Sequence, residues 1–179
     1  LKLDGQRLHL DMGPAEAFFV VFNDVKAKAP VYKRKPLQGK QYIELGNWTA
    51  SLHHSREGWV KTMAMPDSLQ DLKNTEYSHF MGDITYTTTV NVESGRMPKY
   101  LNLGRVCEIA EVKVNGRPAG VQWFGDRVID VEGMLHAGAN TIEVKVTTLK
   151  DNKVAQRYVI KRNHPLRSMG LLGPVRLYE

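Results

Sequence analysis

The side chains that could carry chemistry are few and scattered. Hydrolysis of a sugar bond needs two carboxylic acids, about 5–10 Å apart. Glu111 and Glu143 alternate with apolar neighbours, and Glu93 closes another alternating run, so all three read as outward, solvated charges. Asp67 precedes Ser68-Leu69-Gln70. That spacing is a capping box and predicts a turn or two of helix before Asn74. His53 and His54 are adjacent, and neighbouring strand residues face opposite ways, so the two cannot grip one metal ion. His79, His136 and His164 stand alone and read as surface or turn histidines. Ser78-His79 lacks the glycine elbow of a serine hydrolase. Cys107 is the single cysteine, so no internal disulfide forms, and zinc spacings are absent. It reads as a small, partly buried residue beside a strand. These patterns supply no catalytic residue and no metal ligand.

Binding is better supplied. Sugars stack their C–H faces on aromatic rings, while planar polar side chains meet the hydroxyls in a concave surface. Trp59, Trp123 and Phe124 are the aromatic candidates, with Asp126, Arg127 and Asn152 as polar partners. Trp123-Phe124-Gly125-Asp126-Arg127 is the densest group and falls between two extended segments, where binding residues collect. Trp48 belongs to the core by alternation.

The elements that must position these residues are strands. Strand side chains repeat every two residues, giving one dry and one wet face. Ala110, Val112 and Val114 share a face, followed at once by Asn115-Gly116, a two-residue hairpin turn. The chain returns through Ala119, Val121 and Trp123, and a short strand carries Ile129 and Val131. After Gly138-Ala139-Asn140, the side chains of Ile142, Val144 and Val146 point inward. Ile84, Tyr86, Thr88, Val90 and Val92 form the dry face of a long strand whose other face carries Thr85, Thr87, Thr89 and Asn91. Tyr42–Leu45 and Trp48–Leu52 read as two more strands around Gly46. Residues 151–165 read as a strand or an ordered loop. Short, closely spaced strands with almost no helix predict an all-β sandwich.

Several motifs sharpen this reading. A Leu-Gly pair (Leu103-Gly104), an Ala-x-Val-x-Val-Asn-Gly hairpin (Ala110 to Gly116), Trp123 after the return strand and Gly138-x-Asn140 follow in order. The chain ends on Gly-Leu-Leu-Gly-Pro-Val-x-Leu, residues 170–177. Over 37–179 the chain resembles the galactose-binding-like, sugar-binding β-sandwich domain of glycoside hydrolases, in family 2 and in the C-terminal region of family 106 α-L-rhamnosidase-like enzymes. The resemblance implies a jelly-roll β-sandwich with an extra N-terminal strand segment. It implies a non-catalytic accessory role in a larger hydrolase, whose acids lie on a separate barrel. The partners would then be carbohydrate and the catalytic domain of the same polypeptide. The alternative is an autonomous carbohydrate-binding module. Export, secreted or periplasmic, is implied in the same way, as is a structural calcium to which Asp83 or Asp126 could contribute. The chain departs from the pattern at Gly125-Asp126, where relatives often carry Pro-Tyr, and at 151–157, where an Asn-Arg-containing stretch is usual.

Composition sets the outer limits. At 179 residues the chain fits one domain plus a piece of another. The net charge of +6 is dispersed, and its one run, Lys33-Arg34-Lys35, lacks the interleaved aromatics of a nucleic-acid platform. No nucleic-acid partner is expected. The longest apolar run, Phe18 to Phe22, is too short to span a bilayer. It is apolar on both faces, so residues 1–36 are read as a strand remnant of a preceding domain followed by a Pro-bounded basic linker. The chain opens on Leu1 without a basic-then-apolar leader, so it is read as a processed or excised piece.

Overall fold

The computed structural model describes residues 2–4, 7–9, 42–65, 68–124, 128–157 and 165–179. The Phe18–Phe22 run and the Lys33–Lys35 linker lie outside them. In chain order the strands are β1 (Lys2–Asp4), β2 (Arg7–His9), β3 (Tyr42–Glu44), β4 (Trp48–His54), β5 (Val60–Met65), β6 (Gly82–Val92) and β7 (Tyr100–Asn102). There follow β8 (Arg105–Cys107), β9 (Ile109–Val114), β10 (Arg117–Gln122), β11 (Val128–Asp130), β12 (Gly138–Thr147), β13 (Gly170–Gly173) and β14 (Arg176–Tyr178). One α-helix, α1, spans Asp151–Arg157. β1 and β2 pair with each other.

Two antiparallel sheets make the sandwich expected from the sequence. The larger has the order β10-β9-β12-β6-β4-β5, and the smaller β11-β7-β14-β3. β13 and β8 form a separate two-stranded piece that contacts β12 and β9 of the larger sheet. Inward residues of the larger sheet (Leu52, Ile84, Tyr86, Val112, Ile142, Val144) meet Leu101, Ile129 and Leu177 of the smaller one in a single core. Ile84, Val112 and Val144 each lie at or below 2% exposure, so each contributes on the order of 2 kcal/mol by leaving water. Trp48 is in that core, its Nε1–H donating to Leu45 O at 3.2 Å.

The alternations on β6, β9 and β12 are as the sequence predicts. Their outer faces are crossed by ion pairs, Lys113 with Glu143 at 2.8 Å and Lys145 with Glu111 at 2.7 Å. Directly opposed unlike charges are the favourable cross-strand arrangement.

Two expectations are corrected, and two features had no expectation. Residues 68–71 are not helical; the only turn here is a 3₁₀ turn at Leu72–Asn74, capped by Asp71, whose carboxylate accepts from Lys73 N at 3.1 Å. Asp67 lies outside the described residues. Residues 151–157, read as strand or loop, are helix α1. β5 has no apolar alternation to announce it: it is an edge strand, most of whose side chains face solvent. Finally, the return strand aims Val121 and Trp123 outward. A bulge between Pro118 and Gly120 shifts the β10–β9 register, and an extra residue in a strand sends every later side chain to the other face. Val121 and Trp123 are therefore exposed, at 60% and 72%.

Candidate functional site

The aromatic candidates sit at one end of the larger sheet but at its two opposite edges. Trp59 precedes β5 and Trp123 follows β10, the two outermost strands. Five strand spacings separate them, about 24 Å, more than a single sugar ring can bridge. The structure does not bring the two tryptophans together.

Trp59 is half-buried in a ring cluster of its own. His54 stacks on it at 5.0 Å, Phe80 lies at 5.7 Å and Tyr77 at 6.4 Å. Its Nε1–H donates to Glu57 Oε2 at 2.8 Å, and that hydrogen bond holds the Glu57 carboxyl below its ordinary pKa. Among the described histidines, His54 departs from the surface reading. It is buried at 2% exposure, and its Nδ1 accepts from the amides of Glu57 (3.0 Å) and Arg56 (3.4 Å). His53, next to it, is exposed, so the pair does face opposite ways.

Asn152 is also committed internally. It is 5% exposed, its Nδ2–H donates to Arg167 O and its Oδ1 accepts from Arg167 N, both at 2.9 Å. Its own carbonyl lies 2.9 Å from His79 Nδ1. The amide staples the first turn of α1 to the segment entering β13.

Close by, Asp71 does similar work. Its Oδ1 also accepts from Met169 N at 3.0 Å, and Lys73 Nζ stands 3.7 Å from Oδ2. Burial pushes the Asp71 pKa up, but hydrogen bonds from Ser168, Met169 and Lys73, with the Lys73 charge, outweigh it and hold the carboxyl below its ordinary value. A depressed folded pKa contributes stability above the unfolded value, about 3.9, and loses it as pH falls through the folded one. Asp71→Asn is therefore expected to lower stability by roughly 1 kcal/mol at pH 7, and the gap to close below about pH 4, in denaturant melts across that range.

Trp123 and Phe124 differ from these. Both project from the end of β10, 72% and 61% exposed, with ring centroids 6.0 Å apart and planes inclined by 43°. Asp126 and Arg127 lie outside the described residues. Cys107 ends β8, partly covered, and burial raises its thiol pKa. Among the described residues, no three His, Cys, Asp or Glu side chains converge as metal ligands. Asp83 accepts from the Thr147 hydroxyl at 2.6 Å. No helix among the described residues is long and apolar enough to cross a membrane.

The sequence reading missed the apolar neighbours of Trp123. Ile109 is 41% exposed on the adjoining strand, one position beyond the last registered pair, Gln122 with Ala110. A signal was present: Pro118 and Gly120 inside a short strand mark an edge and a bulge.

No protein-family profile matches the chain. A rhamnosidase from Novosphingobium sp. PP1Y superposes with a TM-score of 0.64 at 23% identity, over 86% of this chain and 16% of that one. Its solved neighbours are glycoside hydrolases. A GH2 β-galacturonidase from Eisenbergiella tayi gives 0.53 at 18%, over 79% of this chain and 25% of that enzyme. At these identities the likeness is one of fold. In sequence, a provisionally assigned β-glucuronidase from Formosa agariphila is 34% identical over 87 residues, 46% of this chain and 8% of that protein. The chain thus spans a small fraction of every relative named here.

Proposed function

We propose that this chain is a non-catalytic β-sandwich module of a larger glycoside hydrolase, of galactose-binding-like jelly-roll type, and that it acts chiefly by docking on the catalytic body of the same polypeptide. One observation carries the reading: a fold match that takes in 86% of this chain but only 16% of the rhamnosidase. The side-chain chemistry agrees. Glu111 and Glu143 are locked in cross-strand pairs with lysines, and Glu93 is paired with Arg96 on the surface. Glu93 and Glu179, which line one cleft, both pair with Arg96, and Asp151, which lines another with Glu108, pairs with Arg167.

The isolated 179-residue chain is expected to release no nitrophenol from 4-nitrophenyl glucuronides, galacturonides or rhamnosides above the buffer rate. Turnover approaching that of an intact glycosidase would overturn the proposal.

A second reading, an autonomous carbohydrate-binding module, draws on the exposure of Trp123, with Asp126 and Arg127 following it in the sequence. Calorimetric titration against a glycan panel separates the two. Flat heats with unchanged tryptophan emission remove the second reading; a saturable heat lost in Trp123→Ala establishes it.

A further inference from the structure

The bulge in β10 turns Val121 and Trp123 outward, on the corner where Phe124 and Ile109 are also exposed. Val121, Trp123 and Phe124 are each at least 60% exposed, and Ile109 is 41% exposed on the strand beside them. A contiguous patch of this kind is uncommon on a protein that works alone. We propose that this corner is the surface by which the sandwich docks on the remainder of its parent polypeptide, against an apolar protein face. This inference rests on the accessory-module reading and specifies where the contact lies.

The chemistry of the corner favours a protein over a glycan. Sugar recognition needs free planar polar groups beside the ring. Among the described residues of the same outer face, Glu111 pairs with Lys145, Glu143 with Lys113, and Asp83 with Thr147. The two rings are inclined by 43°, and aliphatic Val121 and Ile109 are exposed on the same corner, which makes it more apolar than stacking on one ring requires. An apolar centre with a self-paired polar rim is the anatomy of a protein–protein contact, with aromatic residues as anchors. The occupant is drawn from the same polypeptide because the chain amounts to only 16–25% of the solved relatives, which leaves most of such a protein elsewhere. The bulge gives the arrangement a purpose. Without it, the alternation of the strand would turn Val121 and Trp123 toward the core.

Hydroxyl-radical footprinting of the 179-residue chain and of the complete gene product tests the idea. The peptide carrying Trp123 and Phe124 is expected to oxidise roughly fivefold or more slowly in the complete protein, because an interface core is closed to solvent. Equal oxidation in the two forms overturns the docking surface while leaving the module reading intact. A complete gene product with no further domain overturns the module reading itself. Val121→Ser combined with Trp123→Ser is expected to leave the melting temperature of the isolated chain unchanged, since both residues are exposed, and to raise oxidation of Ile109 in the complete protein. A dimer of the isolated chain abolished by the same double variant assigns the corner to a second copy and overturns the proposal, as does protection of Trp123 by an added oligosaccharide.

Discussion

Asn140→Ala is expected to destabilise the sandwich by about 4 kcal/mol and to lower its melting temperature by roughly 10 °C. Asn140 is 1% exposed, yet its amide is fully used. Oδ1 accepts from His136 N at 3.0 Å and from Asn115 Nδ2 at 2.9 Å. Nδ2 donates to His136 O at 2.7 Å and to Gly138 O at 2.9 Å. Alanine removes all four bonds and strands donors and acceptors that water cannot readily reach, and each such orphan costs on the order of 1–3 kcal/mol. Asn140→Asp is a useful companion. It keeps both acceptor bonds but turns a charged oxygen toward two carbonyls, so it too should be strongly destabilising at neutral pH. A loss smaller than about 1 kcal/mol for the alanine variant, measured by chemical denaturation, would mean that the network is not what holds this turn.

The second large effect falls on Gly104. Its φ is +60°, and it forms a parallel bridge with Gly173. A Cβ at this position would lie under 3.0 Å from backbone atoms of Gly173 and Pro174. Backbone cannot swing aside as a side-chain tip can, so Gly104→Ala should cost at least about 3 kcal/mol, strain and overlap together. Gly116 supplies the control. It has a similar φ, +76°, in the β9–β10 hairpin, but open space around it. Gly116→Ala should cost only the conformational strain, about 1 kcal/mol. If the two alanine variants melt together, the close approach at Gly104 is not tight.

These two sites explain why the family resemblance was visible in so short a chain. Its motifs are halves of joints. Asn115 of the hairpin donates through Nδ2 to Asn140 of Gly-x-Asn, 25 residues later, and its Oδ1 accepts from Thr141 N at 2.9 Å. The Leu-Gly pair meets the Gly-Pro of the chain ending through Gly104 and Gly173. Buried amides and close backbone contacts permit few residue types, so they leave a readable trace. The trace is of construction. Trp59 and Asn152 fit a sugar site by residue type, but the folded chain spends both on its own packing and hydrogen bonds.

The amino-acid order alone determined the faces of β6, β9 and β12, the turn at Asn115-Gly116 and the sandwich they imply. It could do so because each depends on neighbours one or two residues away, and the period of a strand is written locally. Only the tertiary structure decided that Val121 and Trp123 face solvent, that β5 forms an edge, that 151–157 is helical and that His54 is buried. Each of those outcomes depends on partners distant in the chain: the bulged register against β9, the pairing with β4, the Asn152–Arg167 clasp and the ring cluster around Trp59. A side chain's surroundings are set by what folds against it, and local alternation carries no record of that.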